Sequence, residues 1–314
     1  MPRVRSIGAD GLDRFVEAGS LPQHHEEVRQ YVENMFRAGS MRPEWCFVLE
    51  DEGQLLLGRV ALWTLPGMEY PLDLVLLDLR WEQDYLASGA VLLRQVLEKA
   101  QALGAHEVGH ILDAPPMRPQ WQYRQDERVA LLERAGFTME RETTRFEWRG
   151  GNALPSVPER LVFCSLDEVG EAAFVDAVIR VSEGTLDREI QAERQEHGPE
   201  KAGRKLYELE SHLEHEPSWW KLTYTQEGWL AGLIMACKNP TSPVIGYIGV
   251  VPEQRGRGYV DDLLAKGTHT LLAAGAEQVR ADADVRNIPM AAAFHRAGYS
   301  EFARRREYSV DLTK

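Results

Sequence analysis

From residue 158 onward the apolar positions follow two periods. Short, nearly unbroken apolar runs predict buried strands: RLVFCSL from Arg160, WWKLTYT from Trp219, WLAGLIMACK from Trp229 and VIGYIGVV from Val244, with Gly228 at a turn. Helical spacing predicts helices over 168–182, 199–215, 260–274 and 288–297. Gly275 stops the third, and the fourth carries Asn287 as N-cap, Pro289 in its first turn and Gly298 after its end. Strands over 278–285 and 307–312 complete the segment. In the first half charge punctuates the apolar runs, with Arg59 inside 55–65 and Asp73 and Asp78 flanking Leu74 to Leu77. No run approaches the roughly 18 apolar residues of a membrane span.

The two halves repeat one pattern. Arg134-Ala135-Gly136-Phe137 falls on Arg296-Ala297-Gly298-Tyr299 at an offset of 162 positions, and Phe146 falls on Tyr308 at the same offset. Earlier, Leu92-Leu93 matches Leu263-Leu264, and Gly104 to Val108 matches Gly275 to Val279, at an offset of 171. The difference of nine positions is an insertion in the first copy, within DAPPMRPQWQYRQDE from Asp113. Alternating strands and helices make each copy α/β (α+β). The expected domains are 1–150 and 158–314, joined near Gly150-Gly151-Asn152-Ala153-Leu154-Pro155.

The 314 residues carry a formal charge of −13, spread over both halves. Such a surface repels phosphate backbones and argues against nucleic acid as a partner, while mildly favouring an amine. MPRVRSIGADGLDRF offers no apolar signal segment, and Cys46, Cys164 and Cys237 have no metal or CxxC spacing. The expectation is a cytoplasmic protein with free thiols, no membrane partner and no metal.

Chemistry concentrates in VVPEQRGRGYVDDLL, from Val250 to Leu264. A buried strand ends, Pro252 stops its pairing, and a turn holding Gly256 and Gly258 opens a helix. Amides at such a turn point at a helix N-terminus, which favours an anion, and Arg255 and Arg257 add positive charge. A P-loop needs Gly-Lys-Ser/Thr where Gly258-Tyr259-Val260 stands, and a dinucleotide fingerprint needs a small residue where Asp261 stands. A pyrophosphate fits the turn best.

These residues resemble the GNAT family of acetyltransferases. The family's Gln/Arg-x-x-Gly-x-Gly/Ala motif is met by Glu253-Gln254-Arg255-Gly256-Arg257-Gly258 after Val250-Val251-Pro252, with Glu253 departing from the usual residue. Its later Asn, helix and Gly-Phe/Tyr are met by Asn287, Gly298 and Tyr299. The layout is similar to mycothiol synthase-like, two-domain GNAT proteins. The resemblance implies two GNAT-like domains in tandem, each a mixed, mostly antiparallel sheet flanked by helices. It implies acetyl-CoA as co-substrate and an amine of a small molecule or peptide as acceptor, attacked directly in a ternary complex. The main chain of Gly249, Val250 and Val251 would hold the pantetheine arm, with a strand N–H polarising the thioester carbonyl. Gln254, Arg255, Gly256, Arg257, Gly258 and Tyr259 would hold the pyrophosphate, and Asn287 and Phe294 would stand beside the cofactor.

Two usual roles lack their usual residues. Phe294 occupies the position where the family often has a proton-donating tyrosine, and VIGYIGVV contains no carboxylate. Candidate acids for the acceptor are Asp187 and Glu189 in SEGTLDREIQAERQEHG, and Tyr247 is the titratable residue on the central strand. Of Trp219 and Trp220, one is expected in the core and one at the site. The first copy has no RGxG after PLDLVLLDL; Arg80-Trp81-Glu82-Gln83-Asp84 brings negative charge instead. An active C-terminal domain beside a degenerate N-terminal copy is expected. The alternative is a non-catalytic acyl-CoA-binding regulatory protein.

Overall fold

The apolar runs become strands buried on both faces. The computed structural model describes residues 2–8, 10–82, 84–151, 156–157 and 159–313. It divides into two compact units, one of Met1–Arg141 with Arg305–Lys314 and one of Glu142–Arg304. These bounds differ from 1–150 and 158–314. The end of each copy belongs to the unit built by the other, and Asn152 to Pro155 lie outside the described residues.

In chain order the first copy gives β1 (Arg3–Ser6), α1 (Leu12–Glu17), α2 (His25–Ala38), β2 (Cys46–Glu50), β3 (Leu56–Trp63), β4 (Asp73–Leu79), α3 (Tyr85–Ala102), β5 (Glu107–Ala114), α4 (Gln125–Arg134) and β6 (Thr138–Arg149). The second gives β7 (Leu161–Ser165), α5 (Leu166–Val169), α6 (Glu171–Val181), α7 (Arg188–His197), α8 (Pro199–Ser211), β8 (Lys221–Thr225), β9 (Leu230–Asn239), β10 (Ser242–Val250), α9 (Tyr259–Ala273), β11 (Gln278–Asp284), α10 (Ile288–Arg296) and β12 (Ser300–Asp311).

The first unit's sheet runs β1-β2-β3-β4-β5-β12, antiparallel through β4 and parallel between β4 and β5. The second runs β6-β11-β10-β9-β8-β7, with β10 and β11 its parallel pair. Each sheet is covered by helices on two apolar layers, so β2 and the middle of β9 are buried along their length. The fold is therefore a tandem of mixed, mostly antiparallel α/β units. Among the described residues no helix is long and apolar enough to cross a membrane.

Several element ends moved. Gly170, at φ +81°, splits the helix expected over 168–182 into α5 and α6. The acidic stretch after Thr185 winds into α7, because Asp187 caps it. The last strand begins at Ser300 rather than at residue 307.

Candidate functional site

The turn after β10 keeps its donors unspent. Pro252–Gln254 form one tight helical turn, Gly256 and Gly258 take φ of +76° and +73°, and Gly258 begins α9 without a side-chain cap. Among the described residues, the N–H groups of Gly256, Arg257, Gly258, Tyr259 and Val260 have no hydrogen-bond acceptor. A Cβ on Gly256 would meet nothing within 4 Å. The N-terminus of a 15-residue helix is thus open to an anion.

Nearby side chains set the charge. Arg255 turns away from the turn: its guanidinium donates to the carbonyls of Val250, Val181, Glu183 and Gly184, which closes the C-terminal end of α6. Its side chain is a structural clasp, which corrects the phosphate contact expected of it. The Arg257 guanidinium is exposed and has no hydrogen-bond or ion-pair partner among the described residues. The two first-turn carboxylates of α9 are neutralised elsewhere. Asp261 pairs with Arg296 at 2.7 Å, and buried Asp262 pairs with Arg160 at 2.5 and 3.0 Å. Arg160 also donates to the carbonyls of Arg257 and Gly258, bracing the turn from behind. Sequence reading missed Arg160 and Asp262, because their partnership spans 102 positions.

Beside the turn the sheet opens. β10 and β11 pair only at Val244↔Arg280 among the described residues, whereas β10 stays on β9 from Ser242 to Val250. The β10–β9 register slips between Ile245 and Tyr247, so Gly246 sits in a bulge. The Val251 N–H donates to Ala231 O at 3.0 Å, and Val251 is fully buried. By strand alternation Gly249 also faces β9, while Ile248 and Val250 turn their main-chain groups to the open side. Of the three residues expected to offer main chain, Val250 is therefore the one so placed.

The flank beyond β10 is built from α6, α7 and α8. The Asp187 carboxylate accepts from the Glu189 and Ile190 N–H groups, so it caps α7, and Glu189 is exposed in the first turn. Arg188 donates to buried Asp284 at 2.9 Å, tying α7 to the end of β11. Burial opposes ionisation of Asp284, but hydrogen bonds from Arg286 and Arg188 and the Arg188 charge outweigh it and hold Asp284 below its ordinary value. That contribution is present above the unfolded pKa of about 4 and is lost as pH falls through the lower folded value. Asp284→Asn is expected to cost about 1–3 kcal/mol in urea unfolding at pH 7, with the gap from wild type closing below about pH 4. An equal cost at all pH values would remove the charge from this account.

Tyr247 lies half-buried on β10. Burial raises its phenol, Asp187 and Glu210 add to the rise, and Arg255 and Arg194 oppose it. Glu210, from α8, brings its carboxylate to the same bulge, and a Cβ on Gly246 would stand 2.0 Å from Glu210 Oε2. Burial pushes the Glu210 carboxyl up to about 7, a hydrogen bond from the Cys237 thiol opposing. Glu210 escaped sequence reading, although the signal exists: it falls on the inward stripe of α8 with Gly203 and Tyr207.

Asn287 caps α10 as expected, accepting from the Met290 N–H at 3.3 Å. Phe294 does not line a site. It is 1% exposed, stacked on Phe146 at 4.8 Å and tilted against Tyr299 at 5.2 Å, so its expected place beside a cofactor is corrected to the core. Tyr299 is buried too, its hydroxyl 2.6 Å from that of Thr268. Trp220 is fully buried and Trp219 half-buried under Lys238. Among the described residues no group of three or more His, Cys, Asp or Glu could hold a metal.

In the first unit the equivalent opening is filled. β4 and β5 pair at Asp73↔Gly109 and Leu74↔His110. Past that point Leu76, at φ +54°, donates its N–H to Gln120 Oε1 at 2.6 Å. Gln122 accepts from the Asp113 N–H and donates to Ile111 O. Both glutamines come from the insertion, so the chain's own side chains satisfy the parted strands. Asp78 accepts from Ser20, Trp81 and Arg128, where the second unit has its open turn. Gln83 lies outside the described residues.

Residues 185–299 match the sequence model of the acetyltransferase (GNAT) family. Among solved structures, the chain is similar to a GCN5-related N-acetyltransferase from Sphaerobacter thermophilus, with 17% identity and TM-score 0.61 over 99% of this chain and 96% of that one. It is also similar to a tandem GNAT protein from the clavulanic acid biosynthesis pathway, with 15% identity and TM-score 0.54 over 99% of both chains. A glucosamine N-acetyltransferase region of a fungal multi-domain GH3 β-N-acetylglucosaminidase shares 13% identity and TM-score 0.58, over 99% of this chain and 38% of that one. No curated protein matches the chain.

Proposed function

We propose that the second unit is a GNAT-family acetyltransferase domain and that the chain is an acetyl-CoA-dependent N-acetyltransferase working within residues 142–304 on an amine of a small molecule or peptide. The observation that carries this reading is the turn of Gly256 to Tyr259, whose unspent N–H groups open beside the parted strand β10. These amides and the Arg257 guanidinium fit a pyrophosphate, whose charge they would share with the α9 N-terminus. The open-side main chain of Ile248 and the Val250 N–H suit an extended, amide-bearing arm, the Val250 carbonyl being held by Arg255, and Asn287 heads α10 after β11. Arg160 and Asp262 hold the turn, and Arg255 ties it to α6. The turn carries no backbone strain, because only glycines take positive φ there. When bound, acetyl-CoA supplies an activated thioester, and much of the rate then comes from holding an amine against it. In this reading Asp187 serves the site by capping α7, and exposed Glu189 would attract a cationic acceptor.

Titration calorimetry is expected to find one CoA per chain, because the first unit fills its own opening with Gln120 and Gln122. Two equivalent sites would overturn the assignment. Thiol release from acetyl-CoA over glucosamine, tyramine, spermidine and a lysine peptide tests catalysis. Tight CoA binding with no release over background for any of them would favour the acyl-CoA-binding protein instead.

A further inference from the structure

Resting on that reading, we propose that Glu210 is the group that takes a proton from the acceptor's ammonium. α8 is amphipathic, and its inward face carries Ala202, Gly203 and Tyr207, all buried. Glu210 continues that face one turn beyond Tyr207, where packing calls for an apolar residue. Glu210 is half-buried, and no Arg or Lys pairs with it among the described residues, so its carboxylate is partly withdrawn from water without a compensating cation. Its side-chain contact is the Cys237 thiol, which donates at 3.8 Å from β9. That thiol is itself raised by burial and by Glu210, so it stays protonated.

The carboxylate is aimed at the bulge of β10. Gly246 leaves the space, since a Cβ there would overlap Glu210 Oε2 at 2.0 Å and Cδ at 2.9 Å. Two and four residues further along, strand alternation turns the main chain of Ile248 and the Val250 N–H to the side of β10 away from β9. Tyr247 faces Glu210 from β10, and α7 contributes Asp187 and Arg194 around that tyrosine. Arg194 donates to Ile179 O and Ser182 Oγ and makes no ion pair with Glu210 among the described residues. A carboxyl titrating at about 7 accepts a proton at neutral pH and releases it easily.

The step balances. Glu210 takes one proton from R–NH3+, and the freed nitrogen pair forms the C–N bond as the thioester C–S bond breaks. The sulfur leaves with that bond's electron pair and the nitrogen's second proton, as a thiol. Glu210 returns its own proton to water.

The first test needs no acceptor. In protein carrying carbon-13 carboxyl-labelled glutamate, one resonance absent from Glu210→Gln is expected to titrate near pH 7; a midpoint below about 5 overturns the proposal. The second uses the fastest amine of the panel. Glu210→Gln is expected to lower kcat about 100-fold or more and to lose the acidic limb of the kcat profile, with CoA affinity unchanged. Gly246→Ala, which displaces the carboxylate without deleting it, is expected to lower kcat in the same direction. A rate within threefold of wild type with the acidic limb intact overturns the proposal. Failure of the wild type to bind CoA is a separate result, and it overturns the acetyltransferase reading beneath.

Discussion

Gly258→Val is expected to weaken CoA binding by at least about 100-fold, some 2.7 kcal/mol, while the protein stays folded. Gly258 takes φ +73° at the head of α9. An L residue held there costs about 1–2 kcal/mol, and a β-branched one is a genuine outlier. A Cβ at this position would lie 3.5 Å from Arg160 Nη2 and 3.8 Å from Asp261 Oδ2, which are ordinary contacts. The fold therefore has room for the side chain, and the strain is relieved by rotating the turn. That rotation takes the N–H groups of Gly256 to Tyr259 out of convergence. The added methyls also fill the space beside those donors. Arg257→Ala deletes one charge and leaves the turn intact, so its loss is expected to be about ten- to a hundredfold. Calorimetry with CoA gives both affinities, and thermal unfolding confirms the fold. Unchanged affinity in the valine variant would place the cofactor elsewhere.

What the sequence could reveal about this site was local. Two glycines after a proline-terminated strand require their turn whatever surrounds them, and Asn287 caps the helix it precedes. The repeat was legible because both copies carry the same order of strands and helices. The same likeness hid the exchange of chain ends: β6 and β12 have equivalent patterns, so nothing in them specifies which sheet each completes.

Side-chain direction was not legible. Arg255 and Arg257 are two positions apart in one glycine-rich turn, yet one faces solvent and the other fills the carbonyls ending α6. Only the tertiary position of α6 separates them. Asp187 and Glu189 looked alike as acids near the acceptor, until α7 formed and spent Asp187 on its own amides. Glu210 was the converse. Its position in the apolar stripe of α8 was present in the sequence, but only the bulge at Gly246 gives that anomaly a chemical reason.

The largest stability effect at this end of the second unit is expected from Phe294→Ala, a loss of about 3–5 kcal/mol. Phe294 packs between Phe146 and Tyr299 and contributes to the layer that also holds Leu263 and Leu264 beneath the sheet. Removing its ring leaves a cavity that neighbours fixed on β6, α9 and β11 cannot collapse into. For a unit of this size the midpoint of thermal unfolding is expected to fall by roughly 10 °C. Phe294→Tyr separates the structural role from a chemical one. At 1% exposure the new hydroxyl has no water to meet, so the variant is expected to lose about 1–3 kcal/mol. It is also expected to leave kcat within about tenfold, under 1.4 kcal/mol of barrier. A thiol with a pKa near 8.5 is a tolerable leaving group without a donor. The pH–rate profile of either protein is then expected to lack the alkaline limb of a tyrosine acid. A large gain in kcat from the tyrosine, together with a new alkaline limb, would show that this position reaches the reacting thioester and that the core placement of Phe294 is wrong.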